Sequence, residues 1–179
     1  TKITYKNTHH FSKRQLEDLF LSVEWSSGEY PEKLVFAMRN FDTVFSAWDG
    51  EELVGLISAM DDGIMNAYIH YLLVRPDYQL KGIGRELLER VKQHYIDYLK
   101  IVVITEESIT EFYENNGFEL KQSKRALFIS EIDEVILMVL FRGDIKCKSL
   151  QRRTSVSVIL PADNIHFLQD SEEIVPKPY

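Results

Sequence analysis

Cysteine is almost absent: Cys147 is the only one among 179 residues, so no intrachain disulfide can form and packing must hold the fold. Long apolar runs are absent as well. No stretch approaches the ~18 consecutive apolar residues that a membrane-spanning helix needs, so no membrane partner is expected. The opening residues, TKITYKNTHH, hold no apolar signal core, which together with the lone cysteine leads to the expectation of a cytoplasmic protein. Positive charge is the scarcer sign. With 21 Lys and Arg against 28 Asp and Glu, the net charge of −7 repels polyanions and offers no general basic surface for nucleic acid. Histidine, cysteine and carboxylate residues nowhere cluster at metal-ligand spacing, so no metal is expected. Internal repeats are also missing. What remains is an apolar content of 45%, enough for one domain with a full core at this length.

The most informative stretch is YIHYLLVRPDYQLKGIGRELLERVKQHY. Residues 68–74 form an apolar run that reads as a buried strand, and Pro76 ends it because proline cannot extend a sheet ladder. From Gly84 the residues Leu87, Leu88, Val91, Tyr95 and Tyr98 recur at helical spacing, with Arg85, Glu86, Glu89, Arg90 and Lys92 opposite. Strand, glycine loop and helix therefore follow one another. The loop is Gln79, Leu80, Lys81, Gly82, Ile83 and Gly84, where two glycines allow close backbone approach to a ligand. Free amides at the helix start, with Lys81 and Arg85 beside them, suit a phosphate group. The P-loop pattern is not present, and the dinucleotide fingerprint fails because Leu87 stands where its third glycine belongs. An ordinary strand-to-helix turn is the competing reading.

Around this unit, residues 2–6 read as an edge strand, and Ser12 with Gln15 forms a capping box for a helix with Leu16, Leu19, Phe20 and Val23 on its apolar side. Pro31 opens a second helix with Leu34, Ala37, Met38 and Phe41 facing inward. Residues 43–48 and 53–60 are strand-like, with Asp49-Gly50 as the hairpin turn between them. A strand at 101–105 should lie parallel to the central one through a right-handed crossover. A second capping box, Ser108 to Glu111, opens a helix that stops at Asn116-Gly117. Residues 126–129 and 135–141 read as strands that could complete the sheet. One more strand-like run, 156–160, precedes a polar, proline-containing end expected to be partly disordered.

Two motifs carry a resemblance. QLKGIG follows the pattern Gln or Arg, two residues, Gly, one residue, Gly or Ala; further on, Phe112-Tyr113 is separated by three residues from Gly117-Phe118. In this order they resemble the GCN5-related N-acetyltransferase family, over about residues 3–130. The Val23-Glu24-Trp25 segment, the Pro31 helix with Arg39-Asn40, and TEFYENNGF are most similar to a bacterial and plastid branch that includes plant serotonin-acetyltransferase-like proteins. The resemblance implies a mixed α/β fold: a central, mostly antiparallel sheet with a splayed parallel strand pair, flanked by helices. The acetyltransferase domain would span 1–141. Residues 142–179 would be an extension serving as an extra sheet edge, an arm of a homodimer or an incidental tail. One departure stands out. Many relatives carry an Asn near the start of the second motif to hold the pantetheine arm, and Glu106, Glu107 and Ser108 stand there instead.

The same resemblance implies acetyl-CoA as cosubstrate, with the amides of residues 80–85 on its pyrophosphate and Gln79 to Arg85 as its loop. Backbone amides near Leu72, Leu73 and Val74 would bond the acetyl carbonyl. Tyr113 matches the family tyrosine that acts as general acid beside the CoA sulfur; a tyrosine packed on Phe112 is the alternative. His70 is the best base, since an ordinary imidazole pKa of about 6.5 permits proton uptake at neutral pH. By strand alternation it shares a face with Val74. A histidine merely bonded within the strand is the alternative, and Glu24 and Asp61 are weaker substitutes. His9 and His10 read as solvated. Trp25, Tyr30 and Phe41 form either an acceptor wall or ordinary core. The expected reaction is acetyl transfer to a primary amine of a small molecule by direct transfer in a ternary complex. A non-catalytic acyl-CoA-binding or regulatory module and a nucleotide-binding protein are the rival readings.

Overall fold

The computed structural model describes residues 2–129, 138–147 and 152–161. Five strands, β1 (Thr4–Asn7), β2 (Thr43–Asp49), β3 (Glu52–Asp61), β4 (Asn66–Val74) and β5 (Lys100–Val103), form one sheet in that order. All neighbours are antiparallel except β4 and β5, which are parallel. The mixed sheet with one parallel pair is the expected architecture. The β2–β3 turn is displaced by one residue from the sequence reading. Asp49 pairs with Glu52, so the two-residue loop is Gly50-Glu51, with Gly50 at φ +59° in the first position, where only glycine adopts the required backbone without strain.

Helices α1 (Lys13–Ser22) and α2 (Pro31–Asn40) cover one face of the sheet. The capping box of α1 forms as read: the Gln15 amide donates to Ser12 Oγ at 3.1 Å, and the Ser12 amide to Gln15 Oε1 at 2.9 Å. Helix α1 ends with Glu24 in the left-handed region at φ +59°, its amide on the Leu21 carbonyl and that of Trp25 on the Phe20 carbonyl. This is a Schellman termination made without glycine, closed by an edge contact between the Phe20 and Trp25 rings at 6.0 Å. His9 is not simply solvated. Its Nδ1–H donates to the Met38 carbonyl at 2.9 Å, satisfying an acceptor that the last turn of α2 leaves open.

Helix α3 (Ile83–His94) and the short α4 (Thr110–Glu114) pack on the opposite face, where Ile57, Ile69, Leu87, Leu88, Val91 and Tyr95 are all but sealed from solvent. Gly55 makes this approach possible. A Cβ there would lie 3.3 Å from Ile83 Cγ2, Leu87 Cδ1 and the Leu73 carbonyl.

Two expectations need correction. The second capping box does not form: residues Glu107–Ile109 make a 3-10 turn before α4, which puts Ser108 inside the turn, with its hydroxyl on Glu106 Oε2 at 3.4 Å. The stop at Gly117 is real, with φ +92°, the Phe118 amide on the Tyr113 carbonyl and the Gly117 amide on that of Glu114. Residues 126–129 form no strand; Leu127, Phe128 and Ile129 are exposed, since apolar residues without a partner edge gain no ladder. Strands β6 (Met138–Cys147) and β7 (Arg152–Pro161) pair antiparallel with each other. They belong to a second unit, Glu134–Tyr179, distinct from Thr1–Asp133. Of the expected 135–141 strand, residues 135–137 lie outside the described residues, as does the 162–179 end.

Gly55→Val should therefore lower stability by about 1–3 kcal/mol, the usual cost of overpacking. Urea denaturation followed by circular dichroism checks this, and an unchanged midpoint would show that α3 does not depend on the missing side chain.

Candidate active site

The parallel pairing is short. It joins Asn66–Ile69 to Lys100–Val103 and stops, so residues 70–74 of β4 keep β3 on one side and have no ladder partner on the other among the described residues. The break begins at a bulge: Ala59 opposes Ile69 while Ser58 opposes Tyr71, leaving His70 as the extra residue. A bulge resets the alternation of faces. Leu72 and Val74 pack with the α3 layer, whereas Tyr71 and Leu73 pack with α1 and α2. The expectation that His70 shares a face with Val74 is thus wrong. His70 sits on the α1–α2 side, its ring centroid 4.3 Å from Tyr71, 5.7 Å from Phe41 and 5.7 Å from Tyr68. Partial removal from water by these rings lowers its pKa below the usual 6.5.

The glycine loop lies at the other end of the open segment. Gln79 Nε2 donates to the Val74 carbonyl at 2.9 Å and fastens the loop to the strand end. Leu80 and Gly82 both take positive φ, +59° and +83°, which turns the chain sharply into α3. The first α-helical bond runs from the Glu86 amide to the Gly82 carbonyl; the amides of Leu80, Lys81, Gly82, Ile83, Gly84 and Arg85 have no partner among the described residues. Ile83 is buried and anchors the turn, and Arg85 is exposed. Lys81 is held locally, its Nζ 2.6 Å from the Asp77 carbonyl and over the Tyr78 ring. The two glycines differ in role. Gly82 serves the left-handed turn, while a Cβ on Gly84 would lie in ordinary contact, 3.8 Å from Phe112 Cζ and Val74 Cγ2, so no protein group demands glycine there. An unpartnered run of amides at the positive end of a 12-residue helix fits a pyrophosphate.

Tyr113 is 6% exposed in α4, between Phe112 at 5.1 Å and Phe118 at 5.6 Å. Burial pushes its phenol up to about 12, so it carries its proton at neutral pH. Through Phe112, α4 also borders the Gly84 turn and Val74. Trp25 and Phe41 converge on Tyr71 at 5.8 and 5.9 Å, and Tyr71 Oη reaches Ser27 Oγ at 3.5 Å. Tyr30 does not join them; it is exposed beneath Lys33. Asp61 is bound by the hydroxyls of Tyr95 and Tyr98 at 2.9 and 3.1 Å, which assigns it to structure, and Glu24 is exposed. Tyr68, Tyr71 and Ser27 were not singled out by sequence reasoning, because an unbroken apolar run conceals the bulge that brings them together.

The sequence profile of the acetyltransferase (GNAT) domain matches residues 23–126, more than half of the chain. The chain belongs to the GNAT family. The GCN5-related N-acetyltransferase 2, chloroplastic, of Arabidopsis thaliana is 35% identical over 78 residues, covering 40% of this GNAT chain and 30% of that relative's length. An uncharacterized N-acetyltransferase, ycf52, of Pyropia yezoensis is 28% identical over 130 residues, covering 65% of this chain and 73% of its own. Among solved structures, a GNAT-family protein of Streptococcus pneumoniae superposes with a TM-score of 0.62 at 27% identity, covering 74% of this chain and 99% of that one. The chain spans about a third of the length of the first curated plant relatives.

Because Gly84 has room for a side chain in the protein alone, Gly84→Val should fold yet weaken acetyl-CoA binding more than tenfold, about 1.4 kcal/mol. Calorimetric titration checks this; a folded variant with normal affinity would remove the pyrophosphate from this loop.

Proposed function

We propose that this GNAT chain is an acetyl-CoA-dependent N-acetyltransferase that acetylates a primary amine of a small molecule by direct transfer in a ternary complex. The observation that carries this is the run of free amides at residues 80–85 adjoining a strand edge left open from His70 to Val74. Acetyl-CoA, when bound, supplies an acyl thioester. The loop amides hold its pyrophosphate, and the open edge of β4 provides amides to orient the acyl carbonyl and stabilise its oxyanion.

The acid and the base lie on opposite sides of that edge. Tyr113, in the α3–α4 layer, keeps a proton on Oη for the departing sulfur, while His70, on the α1–α2 side, takes a proton from the acceptor ammonium. Donor and acceptor can thus meet across the strand without a covalent enzyme intermediate. The wall of Trp25, Phe41, Tyr68 and Tyr71 supports an amine with an aryl or alkyl body, and the net charge of −7 supports a cationic one.

A screen of primary amines with acetyl-CoA, detecting released thiol, tests the reading. Turnover with a small amine is expected; tight acetyl-CoA binding without turnover on any amine would favour a non-catalytic acyl-CoA-binding module. With an accepted amine, Tyr113→Phe should retain acetyl-CoA affinity and lower kcat at least tenfold, within the ~10²–10⁴-fold range of general acid catalysis. Unchanged kcat under chemistry-limited conditions would return Tyr113 to a packing role.

The pH profile follows from the shifts. His70 must be neutral to accept a proton, so kcat/KM should rise with pH through a pKa below 6.5 and then level off, with no descending limb from Tyr113 until about pH 12. His70→Gln should abolish the acid limb. A limb that persists in this variant would assign the base elsewhere.

A further inference from the structure

The sheet keeps one apolar row that neither helical layer buries. Met60 of β3 opposes Tyr68 of β4, and Tyr68 opposes Val102 of β5, so three side chains from three adjacent strands stand side by side. Their strand neighbours Ala59, Ile69, Ile101 and Val103 pack with the α3 layer, which by alternation turns the row toward the α1–α2 side. The helices there do not reach it. Met60 is 41% exposed and Val102 39%, Tyr68 is half-buried, and none of the three joins either core cluster. Single exposed apolar residues are ordinary, whereas a contiguous set marks a binding surface.

The row is continuous with the aromatic wall around His70. The Tyr68 ring lies 5.7 Å from the His70 ring, which also meets Phe41 and Tyr71. Direction decides what the row can serve. The glycine loop adjoins β4 at Val74, the C-terminal end of the strand, whereas the row lies before His70, toward the N-terminal end. A donor held by the loop thus reaches His70 from one end of β4 and leaves the row to the molecule that bears the acceptor nitrogen. At ~3.3 Å per residue the row begins about 7 Å from His70, and with strands ~4.8 Å apart it is about 10 Å wide. One row further on, Asn66 opposes Lys100, and the apolar strip ends.

We propose that Met60, Tyr68 and Val102 bind the apolar body of the acceptor, so that this site selects primary amines whose apolar chain extends at least about 7 Å from the reacting nitrogen. This rests on the acetyl-transfer reading of the site. A thioether, a phenol and an isopropyl group carry no charge at neutral pH, so the row selects by length and hydrophobicity and not by an ion pair. Short amines fall before the row, and polyhydroxylated ones gain nothing from covering it.

The test is a homologous series of linear 1-aminoalkanes, from ethylamine to octylamine, assayed with acetyl-CoA on the full chain and read as kcat/KM from released thiol. Each methylene that reaches the row should raise kcat/KM about two- to fourfold, the worth of a partly to fully buried methylene, and the gain should level off once the chain passes the row, near hexylamine. Met60→Gln combined with Val102→Thr keeps the side-chain shapes but makes the row polar. It should cut the hexylamine-to-ethylamine ratio of kcat/KM by about fivefold or more. A wild-type ratio near one, or a steep series that survives the double substitution, would overturn the proposal while leaving acetyl transfer intact. Turnover confined to short or polyhydroxylated amines in the wider screen would overturn it too. No turnover on any amine would remove the acetyl-transfer reading itself, and the proposal with it.

Discussion

The structure depends on a backbone ladder that stops early. Parallel strands are stable only while their amides and carbonyls stay paired, yet β4 and β5 share just the segments Asn66–Ile69 and Lys100–Val103 before diverging. Apart from the Val74 carbonyl, which Gln79 occupies, the remaining edge of β4 is a row of polar groups without a ladder partner among the described residues. Such an edge costs free energy unless something else pairs with it, and here it opens between two packed faces instead of lying at the margin of the sheet. The bulge at His70 marks where the divergence begins, and the Gln79 to Val74 hydrogen bond fixes where it ends. Gly55 keeps α3 close enough for its first turn to stand beside that end.

From this constraint the division of chemistry follows. The face toward α3 and α4 holds a tyrosine whose pKa burial raises; the face toward α1 and α2 holds a histidine whose pKa partial loss of water lowers. Both shifts have the same cause, loss of water, and it acts in opposite directions on an acid that is neutral when protonated and a base that is charged when protonated. Each group is thereby held in the form that the proposed transfer requires at neutral pH. The left-handed residues at Glu24, Leu80, Gly82 and Gly117 all fall in turns that border one of these two faces.

Much of the fold was legible in the sequence because its signals are local. Ser12 with Gln15, Pro31, the stripe of Leu87, Leu88 and Val91, and Gly117 each name their own structure through capping, backbone restriction or period. The loop residues Gln79 to Arg85 and Tyr113 were marked out instead by the two family motifs that they match. What stayed hidden depends on pairing between distant residues. A bulge is a relation between two strands, so nothing in YIHYLLV says that His70 leaves the face of Val74. Residues 126–129 looked like a strand because apolar content cannot report whether a partner edge exists. Ser108 to Glu111 satisfied the capping pattern, but the preceding 3-10 turn removed the geometry it needs.

On the proposed reading, the open edge of β4 and the free amides of the loop form one continuous site for an acyl-CoA. The most direct measurement is a titration of ¹⁵N-labelled protein with acetyl-CoA, following each backbone amide. The amides of residues 80–85 and of the 70–74 segment should shift together with a single apparent affinity, while those of β1 and β2 stay in place. Loop shifts without any response from residues 70–74, or a binding site mapped elsewhere on the chain, would contradict it.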